Sequence, residues 1–315
     1  MCTAIRFTDG KGNMYFGCNL DWSCGYGQRV VVTPLGWTPN SPFGAMGHMR
    51  HTVYGMGIVA EGTPLYFDCA NDAGLAVAGL NFPGYAQYEP GAAEGKVNVC
   101  AWEFPLWAAA SFATVDEVDA ALANVAIVDR PIDERLPCSL LHWIVGDAER
   151  SIVVEHMADG LHVYHDDLDV LANQPTFAYH RENVRSYMAC SPEVAGPVRW
   201  RGAELSAYGT GSAMRGIPGD CYSPSRFVRA AYHNAFYPQK RSEADNVSRL
   251  FHTLGAVAMV DGAARMANGA YEVTVYTGGV STRTNTYYYS TYEDPAIRSV
   301  ALGDFDVTGS EIATA

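Results

Sequence analysis

The sequence places a cysteine directly after an initiator methionine, and this thiol is its most informative chemical group. A small second side chain permits removal of Met1, so the mature chain can begin with Cys2 carrying its own α-amine. An α-amine with a pKa of about 7.7 to 8.0 can take the thiol proton near neutral pH and later deliver it to a leaving amine. A cysteine at this position needs companion groups, however, before it indicates catalysis.

The motifs of other common enzyme classes are absent from the sequence. It contains no P-loop, no GxSxG serine-hydrolase motif, no HExxH zinc motif and no EF-hand loop. The eight cysteines are scattered and form no CxxC pair, which is unlike a zinc site or a secreted disulfide scaffold. We therefore expect free thiols and no metal site.

Composition and charge restrict the kinds of partner. The chain has 315 residues, of which 48% are hydrophobic, and 21 Lys and Arg against 34 Asp and Glu give a net charge of −13. This acidic balance disfavours nucleic acid and anionic membrane surfaces as partners. No apolar run approaches the length of a membrane span, and the N-terminus resembles no secretory signal, so we expect a cytoplasmic protein.

The pattern of turns and apolar residues predicts closely spaced strands followed by helices and then further strands. Cys2 to Phe7 and a second strand from Met14 flank a Gly-rich turn, which predicts a hairpin at the N-terminus. Further strands are predicted at 29–33, 52–58, 64–68, 75–82, 140–145, 151–155, 161–165, 271–276 and 285–291. Helices are predicted from the capping box at 114–117 to about residue 124, from an N-cap at Ser223, and over 243–257. With no linker or repeat, this order indicates one α+β domain.

Eight segments together resemble the choloylglycine hydrolase family of N-terminal nucleophile hydrolases, which contains bile salt hydrolases and penicillin V acylases. The segments occur in family order over nearly the whole chain. They are Cys2-Thr3-Ala4-Ile5-Arg6-Phe7, Phe16-Gly17-Cys18-Asn19-Leu20-Asp21-Trp22, Gly79-Leu80-Asn81-Phe82-Pro83-Gly84-Tyr85, Leu136-Pro137-Cys138-Ser139-Leu140-Leu141-His142-Trp143, Leu171-Ala172-Asn173-Gln174-Pro175-Thr176-Phe177, Gly216-Ile217-Pro218-Gly219-Asp220, Ser225-Arg226-Phe227-Val228-Arg229 and Tyr287-Tyr288-Tyr289-Ser290-Thr291-Tyr292.

The resemblance implies a role for each of five residues. Cys2 is the nucleophile that attacks an amide carbonyl to give a thioester, and Asp21 accepts a hydrogen bond from the Cys2 amine and orients it. The side-chain amide of Asn173 and the main-chain N–H of Asn81 stabilise the tetrahedral oxyanion. Arg226 places positive charge beside the nucleophile.

The resemblance also implies the fold, the substrate and the assembly. We expect a single domain over 2–315, with Met1 removed, that forms a four-layer αββα sandwich of two stacked antiparallel sheets flanked by helices. The expected reaction is hydrolysis of glycine- or taurine-conjugated bile salts without a cofactor, by a homotetramer. A steroid needs a broad apolar cleft, and the loop 127–136 is expected to contribute to its lining. The residues expected to line this cleft are Leu20, Trp22, Tyr26, Tyr66, Phe67 and Ile132.

Position 18 departs from the family pattern, because Cys18 stands where the family usually has an arginine beside the catalytic thiol, and its side chain is expected to lie close to Cys2 and Asp21. Two alternatives to a bile salt hydrolase remain, and Cys18 is the reason to keep the second. One is an acylase for penicillin V or other N-acyl amides, which Asn81 disfavours because penicillin V acylases typically have a tyrosine there. The other is a weakly active or inactive relative that binds bile acids.

Overall fold

Two stacked antiparallel β-sheets form the centre of the computed structural model, which describes residues 1–133 and 136–315. The first sheet has six strands and contains the N-terminus. Its strands, in spatial order, are β12 (Val170–Ala172), β1 (Cys2–Thr8), β2 (Met14–Trp22), β15 (Val273–Ser281), β16 (Thr286–Thr291) and β17 (Arg298–Ala301).

The second sheet has eight strands, and each neighbouring pair is again antiparallel. Its strands, in spatial order, are β11 (Gly160–Asp166), β10 (Ser151–Met157), β9 (Leu141–Gly146), β6 (Ala76–Asn81), β5 (Thr63–Asn71), β4 (Val53–Ala60), β3 (Arg29–Thr33) and β18 (Ala313–Thr314). The remaining strands form two small sheets. These are the parallel pair β7 (Val97–Cys100) and β8 (Val125–Val128) and the hairpin β13 (Val198–Trp200) and β14 (Ala203–Leu205).

Helices cover the outer face of each large sheet. The helices are α1 (Phe104–Ser111), α2 (Val115–Leu122), α3 (Phe177–Asn183), α4 (Ser223–Phe236) and α5 (Glu243–Gly255), with 3-10 turns at Val184–Tyr187, Ser212–Met214 and Leu302–Asp304. The helices α4 and α5 pack on strands of the six-stranded sheet, whereas α1 packs on β4, β5 and β6. One apolar core fills the space between the sheets and under α4 and α5, and a second lies beneath α1 and α2. This arrangement confirms the predicted four-layer α+β sandwich.

The N-terminal hairpin forms as the turn residues predict. The Asp9 carboxylate accepts hydrogen bonds from the main-chain N–H groups of Lys11 and Asn13 at 2.7 and 3.0 Å, and Gly12 adopts a φ of 83°. The hairpin then pairs in one continuous register from Thr8 and Met14 to Cys2 and Leu20. The hairpin therefore fixes the position of the N-terminal cysteine within a sheet.

Helix predictions succeeded where local capping determines the end of the helix. Thr114 caps α2 by accepting a bond from the Glu117 N–H, and Ser242 caps α5 in the same way. The prediction of Ser223 as an N-cap was wrong: Tyr222 is the cap residue, and the Ser223 hydroxyl instead donates to the main-chain carbonyl of Asn173. Within the described residues, no helix is long and apolar enough to cross a membrane.

Candidate active site

Cys2 lies on β1 at the edge of an apolar cavity. Its side chain is buried, and burial raises the pKa of its thiol, an effect that the nearby N-terminal ammonium opposes. Met1 precedes Cys2 in the structure, and its ammonium donates to the main-chain oxygen of Asp21 and to Glu272 Oε1, the latter at 3.3 Å. The Cys2 nitrogen is then a peptide N–H that donates to Asn173 Oδ1 at 2.5 Å. A free amine on Cys2 therefore requires removal of Met1.

Asp21 lies on β2, on the helix-facing side of the sheet. Its carboxylate is fully buried; Oδ1 accepts a bond from the Thr274 hydroxyl at 2.6 Å, and Oδ2 lies 3.8 Å from Arg226 Nη1. Burial raises the pKa of Asp21 to about 6, although the Arg226 guanidinium opposes this shift. Oδ2 has no hydrogen-bond partner among the described residues. This oxygen can therefore accept a bond from an amine beside it.

Asn173 joins β1, the strand that carries Cys2, to Asn81 of the second sheet. Its Oδ1 accepts bonds from the Cys2 N–H and from Arg226 Nη2, the latter at 2.8 Å, which fixes the orientation of the side-chain amide. Its Nδ2 donates one hydrogen to the Asn81 carbonyl at 2.8 Å, and an amide nitrogen carries a second hydrogen. Asn173 can therefore still donate to an oxyanion.

The main-chain N–H of Asn81 points away from β9. The Phe82 N–H bonds to the Leu140 carbonyl at 2.7 Å, so the alternation of an antiparallel ladder directs the preceding N–H to the opposite side. On that side β5 pairs with β6 only from Ala76 to Ala78 and no longer reaches Asn81. Asn81 thus presents a donor beside the Asn173 amide.

Arg226 is fully buried on α4 and supports the site from below. Its guanidinium donates to the Cys2 carbonyl at 2.6 Å, to the Thr3 hydroxyl and to Asn173 Oδ1. One side chain thus fixes the main chain of β1 at Cys2 and the Asn173 amide. By contrast, Arg229 is only partly buried and donates to loop carbonyls.

Cys18 shares the inter-sheet face of β2 with Leu20, whereas Asp21 lies on the other face. The expectation that Cys18 lies close to both Cys2 and Asp21 is wrong for Asp21, because the alternation of β2 places only Cys2 on the same side of the sheet as Cys18. The Cys18 Sγ lies 3.3 Å from Oδ2 of Asp68 on β5. Burial, reinforced by the Asp68 charge, raises the pKa of Cys18 well above its ordinary value. Cys18 is therefore a neutral thiol at physiological pH.

Asp68 is a buried carboxyl that forms no ion pair with any described residue. It accepts hydrogen bonds from the hydroxyls of Tyr276 and Tyr287 at 2.5 and 2.6 Å. Burial raises its pKa to about 6, and these hydrogen bonds limit the shift. The structure thus holds an acidic group where a cation at position 18 would find a partner.

Two β-bulges adjoin the site and direct side chains toward it. Phe67 is the extra residue where β5 pairs with β4, between Tyr66 and Asp68. Val275 is the extra residue where β15 pairs with β2, between Thr274 and Tyr276. Bulges re-aim side chains next to active sites. Here they allow Thr274 to reach Asp21 while Tyr276 reaches Asp68.

The cavity beside Cys2 has a volume of about 190 Å³ and a mainly apolar wall. The six residues predicted to line a substrate cleft all contribute to it, together with Cys2 and Asn81. Tyr66 differs from the other five predicted lining residues, because its hydroxyl forms a hydrogen bond with Thr33 at 2.7 Å within the core under α1. Residues 134 and 135 of the predicted lining loop 127–136 lie outside the described residues.

Several residues of the site were not found from the sequence. The cavity wall also includes Ile58, Leu65, Trp102 and Leu141, whereas Leu136, which lines it too, belongs to the predicted loop. Thr274 donates a hydrogen bond to Asp21, and Asp68 lies against the Cys18 thiol, although both residues come from distant parts of the chain. No local sequence signal marks these residues, because the Thr274 contact arises only when the distant strands β2 and β15 pair, and the Asp68 contact only when the two sheets stack. Among the described residues, no cluster of three or more His, Cys, Asp or Glu side chains could hold a metal ion.

The chain belongs to the family of linear amide C–N hydrolases, choloylglycine hydrolase family, whose model matches residues 2–315. It is 57% identical over 313 residues to a bile salt hydrolase/transferase of Bifidobacterium longum subsp. longum, covering 99% of this chain and 98% of the relative. It is 38% identical over 315 residues to a conjugated bile acid hydrolase of Lactobacillus acidophilus, with 100% of each chain covered. These matches confirm the resemblance read from the sequence and show that the protein is an amidohydrolase of linear amides.

Solved structures confirm the fold. A conjugated bile acid hydrolase from Clostridium perfringens superimposes with a TM-score of 0.92 at 32% identity, covering 100% of this chain and 96% of that one. A penicillin V acylase from Agrobacterium tumefaciens matches with a TM-score of 0.77 at 17% identity, over 99% of this chain and 90% of that one. This second likeness shows the shared N-terminal nucleophile hydrolase fold alone.

Proposed function

We propose that this enzyme hydrolyses the amide bond of glycine- or taurine-conjugated bile salts with Cys2 as its nucleophile. The observation that carries the proposal is that Cys2 lies in the wall of a mainly apolar cavity that also contains Asn81, Trp22 and Phe67. An acyl group with a large apolar body can enter this cavity and bring its carbonyl to the thiol. The identities to bile salt and bile acid hydrolases support the choice of a bile acid as that acyl group.

The proposed reaction begins after Met1 is removed. The free amine of Cys2 takes the thiol proton, while Oδ2 of Asp21 accepts a hydrogen bond from the amine and orients it. The thiolate attacks the amide carbonyl carbon, and the oxyanion that forms accepts bonds from the Asn81 N–H and the second Asn173 amide hydrogen. The amine then returns its proton to the nitrogen of glycine or taurine, which leaves as the C–N bond breaks and a thioester remains on Cys2.

Hydrolysis of the thioester completes the cycle. The Cys2 amine takes a proton from a water molecule, whose oxygen attacks the thioester carbonyl, and the same two donors stabilise the second oxyanion. The C–S bond breaks, the thiol regains its proton, and the free bile acid is released. In both halves of the cycle, the proposed role of the Arg226 guanidinium, which contacts β1 at the Cys2 carbonyl, is to stabilise the anionic intermediates electrostatically.

The cavity accounts for recognition of the acyl group. At about 190 Å³ it is smaller than ligand pockets of roughly 300 to 1,000 Å³. We therefore expect the cavity to enclose one part of a steroid. The other part then contacts the mouth of the cavity, where half of the Tyr26 surface is exposed. Since the chain carries a net charge of −13, its overall field repels an anionic substrate, and affinity depends on this apolar contact.

One experiment tests the catalytic proposal. The intact mass of the purified protein should show loss of Met1, and ninhydrin should detect glycine and taurine released from glycocholate and taurocholate. Cys2→Ala should abolish release, whereas Cys190→Ala, at a partly buried thiol that does not line the cavity, should retain it. Saturable bile salt binding without release by the wild-type protein would instead identify the inactive, bile-acid-binding alternative.

We further propose that the working enzyme is a cytoplasmic homotetramer, as the family resemblance implies. All eight cysteines are free thiols, which fits a reducing compartment. Large apolar side chains are exposed along the segment that carries the β13–β14 hairpin, including Met188, Trp200 and Tyr208. Exposed apolar groups of this kind are typical of a surface that another copy covers. Light scattering coupled to size-exclusion chromatography tests this: a stable monomer would reject the tetramer.

A further inference from the structure

The main-chain carbonyl of Asn173 is held by two side chains from two different helices. His180 Nε2, on α3, lies 2.7 Å from this oxygen, and the Ser223 hydroxyl, in the first turn of α4, donates to it at 2.9 Å. A carbonyl oxygen has two lone pairs, so the pair of donors saturates it. All three residues are buried, and water does not compete for these bonds.

The imidazole of His180 is fixed in one plane and one tautomer. Its ring stacks on Phe227 with a centroid distance of 4.7 Å and an interplanar angle of 10°. A carbonyl can only accept, so Nε2 must carry the proton that forms the bond to Asn173. Burial lowers the pKa of His180 to about 4, so the ring is neutral at physiological pH. The contact is therefore a constant hydrogen bond across that range.

The Asn173 side chain is also fixed, at three points. Oδ1 binds the Cys2 N–H and Arg226, and Nδ2 binds the Asn81 carbonyl. What remains free is the second Nδ2 hydrogen, whose direction depends on where the main chain of Asn173 sits. Donors to an oxyanion contribute most when they are held in place before the charge develops.

We propose that His180 and Ser223 are positioning residues that clamp the Asn173 carbonyl and so aim its free amide hydrogen at the oxyanion. This inference rests on the oxyanion role proposed above for Asn173. Neither residue touches the cavity, so each acts through Asn173 rather than on the substrate. The alternative is that both side chains only stabilise the packing of α3 and α4.

Matched substitutions separate these roles. His180→Leu removes the donor, whereas His180→Gln places an amide N–H where the Nε2–H was; Ser223→Ala and Ser223→Thr form the corresponding pair. We expect His180→Leu and Ser223→Ala each to lower kcat by about 10- to 100-fold, as small displacements of catalytic groups do. KM should stay within about twofold. His180→Gln and Ser223→Thr should retain most of the activity, as should Tyr179→Leu at an exposed site on the same helix.

A double-mutant comparison gives the decisive readout. In an Asn173→Ala background, His180→Leu should cause little further loss of kcat, because the group that it positions is already gone. An equal loss in both backgrounds, or an unchanged kcat in folded Ser223→Ala, would overturn the clamp. If His180→Leu fails to fold, the Ser223 pair decides the question by itself. Full activity of the Asn173→Ala single variant would instead refute the oxyanion role proposed for Asn173. Because His180 and Ser223 are unchanged in that variant, this result is distinguishable from failure of the clamp.

Discussion

Replacing Cys18 by arginine should make the Cys2 thiol more acidic and raise kcat/KM. Cys2 pairs with Leu20 and Cys18 pairs with Ala4, so the two cysteines occupy diagonal positions of the hairpin. Diagonal neighbours lie roughly 7 to 8 Å apart. At that separation and an effective dielectric of about 20, a guanidinium would favour a thiolate by about 2 kcal/mol.

The Asp68 carboxylate reduces this benefit. It lies 3.3 Å from the Cys18 Sγ, so an arginine at this position would form an ion pair with it. If half of the attraction remains, about 1 kcal/mol, the pKa of Cys2 falls by somewhat less than one pH unit. Because the thiolate is the proposed nucleophile, kcat/KM near neutral pH should then rise by roughly two- to fivefold.

The assay combines pH-dependent kinetics with thiol reactivity. We would measure kcat/KM for a glycine-conjugated bile salt from pH 5 to 9 and follow the alkylation rate of Cys2 by peptide mass spectrometry. Cys18→Met, which lengthens the side chain without a charge, is the control and should leave the Cys2 profile unchanged. An equal or lower kcat/KM in folded Cys18→Arg, with an unshifted alkylation profile, would refute the charge argument and show that the site operates around the cysteine.

Three further predictions concern the oxyanion site, the buried acid and the substrate. Asn173→Ala should lower kcat by about 10² to 10³ with little change in melting temperature, and a change confined to KM would assign Asn173 to binding. Burial raises the pKa of Asp68 from 3.8 to about 6, so ionisation of this carboxyl destabilises the folded state as pH rises from about 4 to 6. The stability of Asp68→Asn relative to wild type should therefore increase between pH 4 and pH 7, by up to ~3 kcal/mol in urea unfolding, and a difference independent of pH would contradict the shift. Glycocholate and taurocholate should give a higher kcat/KM than penicillin V, since Asn81 resembles the bile salt hydrolases at its position; the reverse order would favour the acylase.

Local sequence signals predicted the strand that carries Cys2 and the helix that carries Arg226, but not the long-range contacts between the elements of the site. The turn at Asp9 to Gly12 and the caps Thr114 and Ser242 act through neighbouring residues, so their patterns are readable in the sequence. Helix α1 escaped prediction because Phe104 to Ala110 are all buried, and a helix that is apolar all round has no amphipathic periodicity.

The supporting contacts of the site are long-range. Thr274 lies 253 positions from Asp21, and His180 and Ser223 meet at one carbonyl only because α3 and α4 pack together. Ser223 shows the limit of such local patterns. A serine before a proline at the start of a helix has the pattern of an N-cap, but in the folded protein its hydroxyl donates to the Asn173 carbonyl instead. The family resemblance identified Asp21, Asn81, Asn173 and Arg226 as site residues, whereas the composition and periodicity of the chain did not.

The proposed mechanism requires that Cys2, freed of Met1, forms a thioester with the bile acid. The direct measurement is intact-protein and peptide mass spectrometry of samples quenched in acid during turnover of glycocholate. We predict a cholyl adduct on the N-terminal peptide that begins with Cys2, present during turnover, gone when substrate is exhausted, and never formed by Cys2→Ala. A hydrolysing enzyme whose N-terminal peptide keeps Met1, or whose adduct lies on another residue, would contradict it.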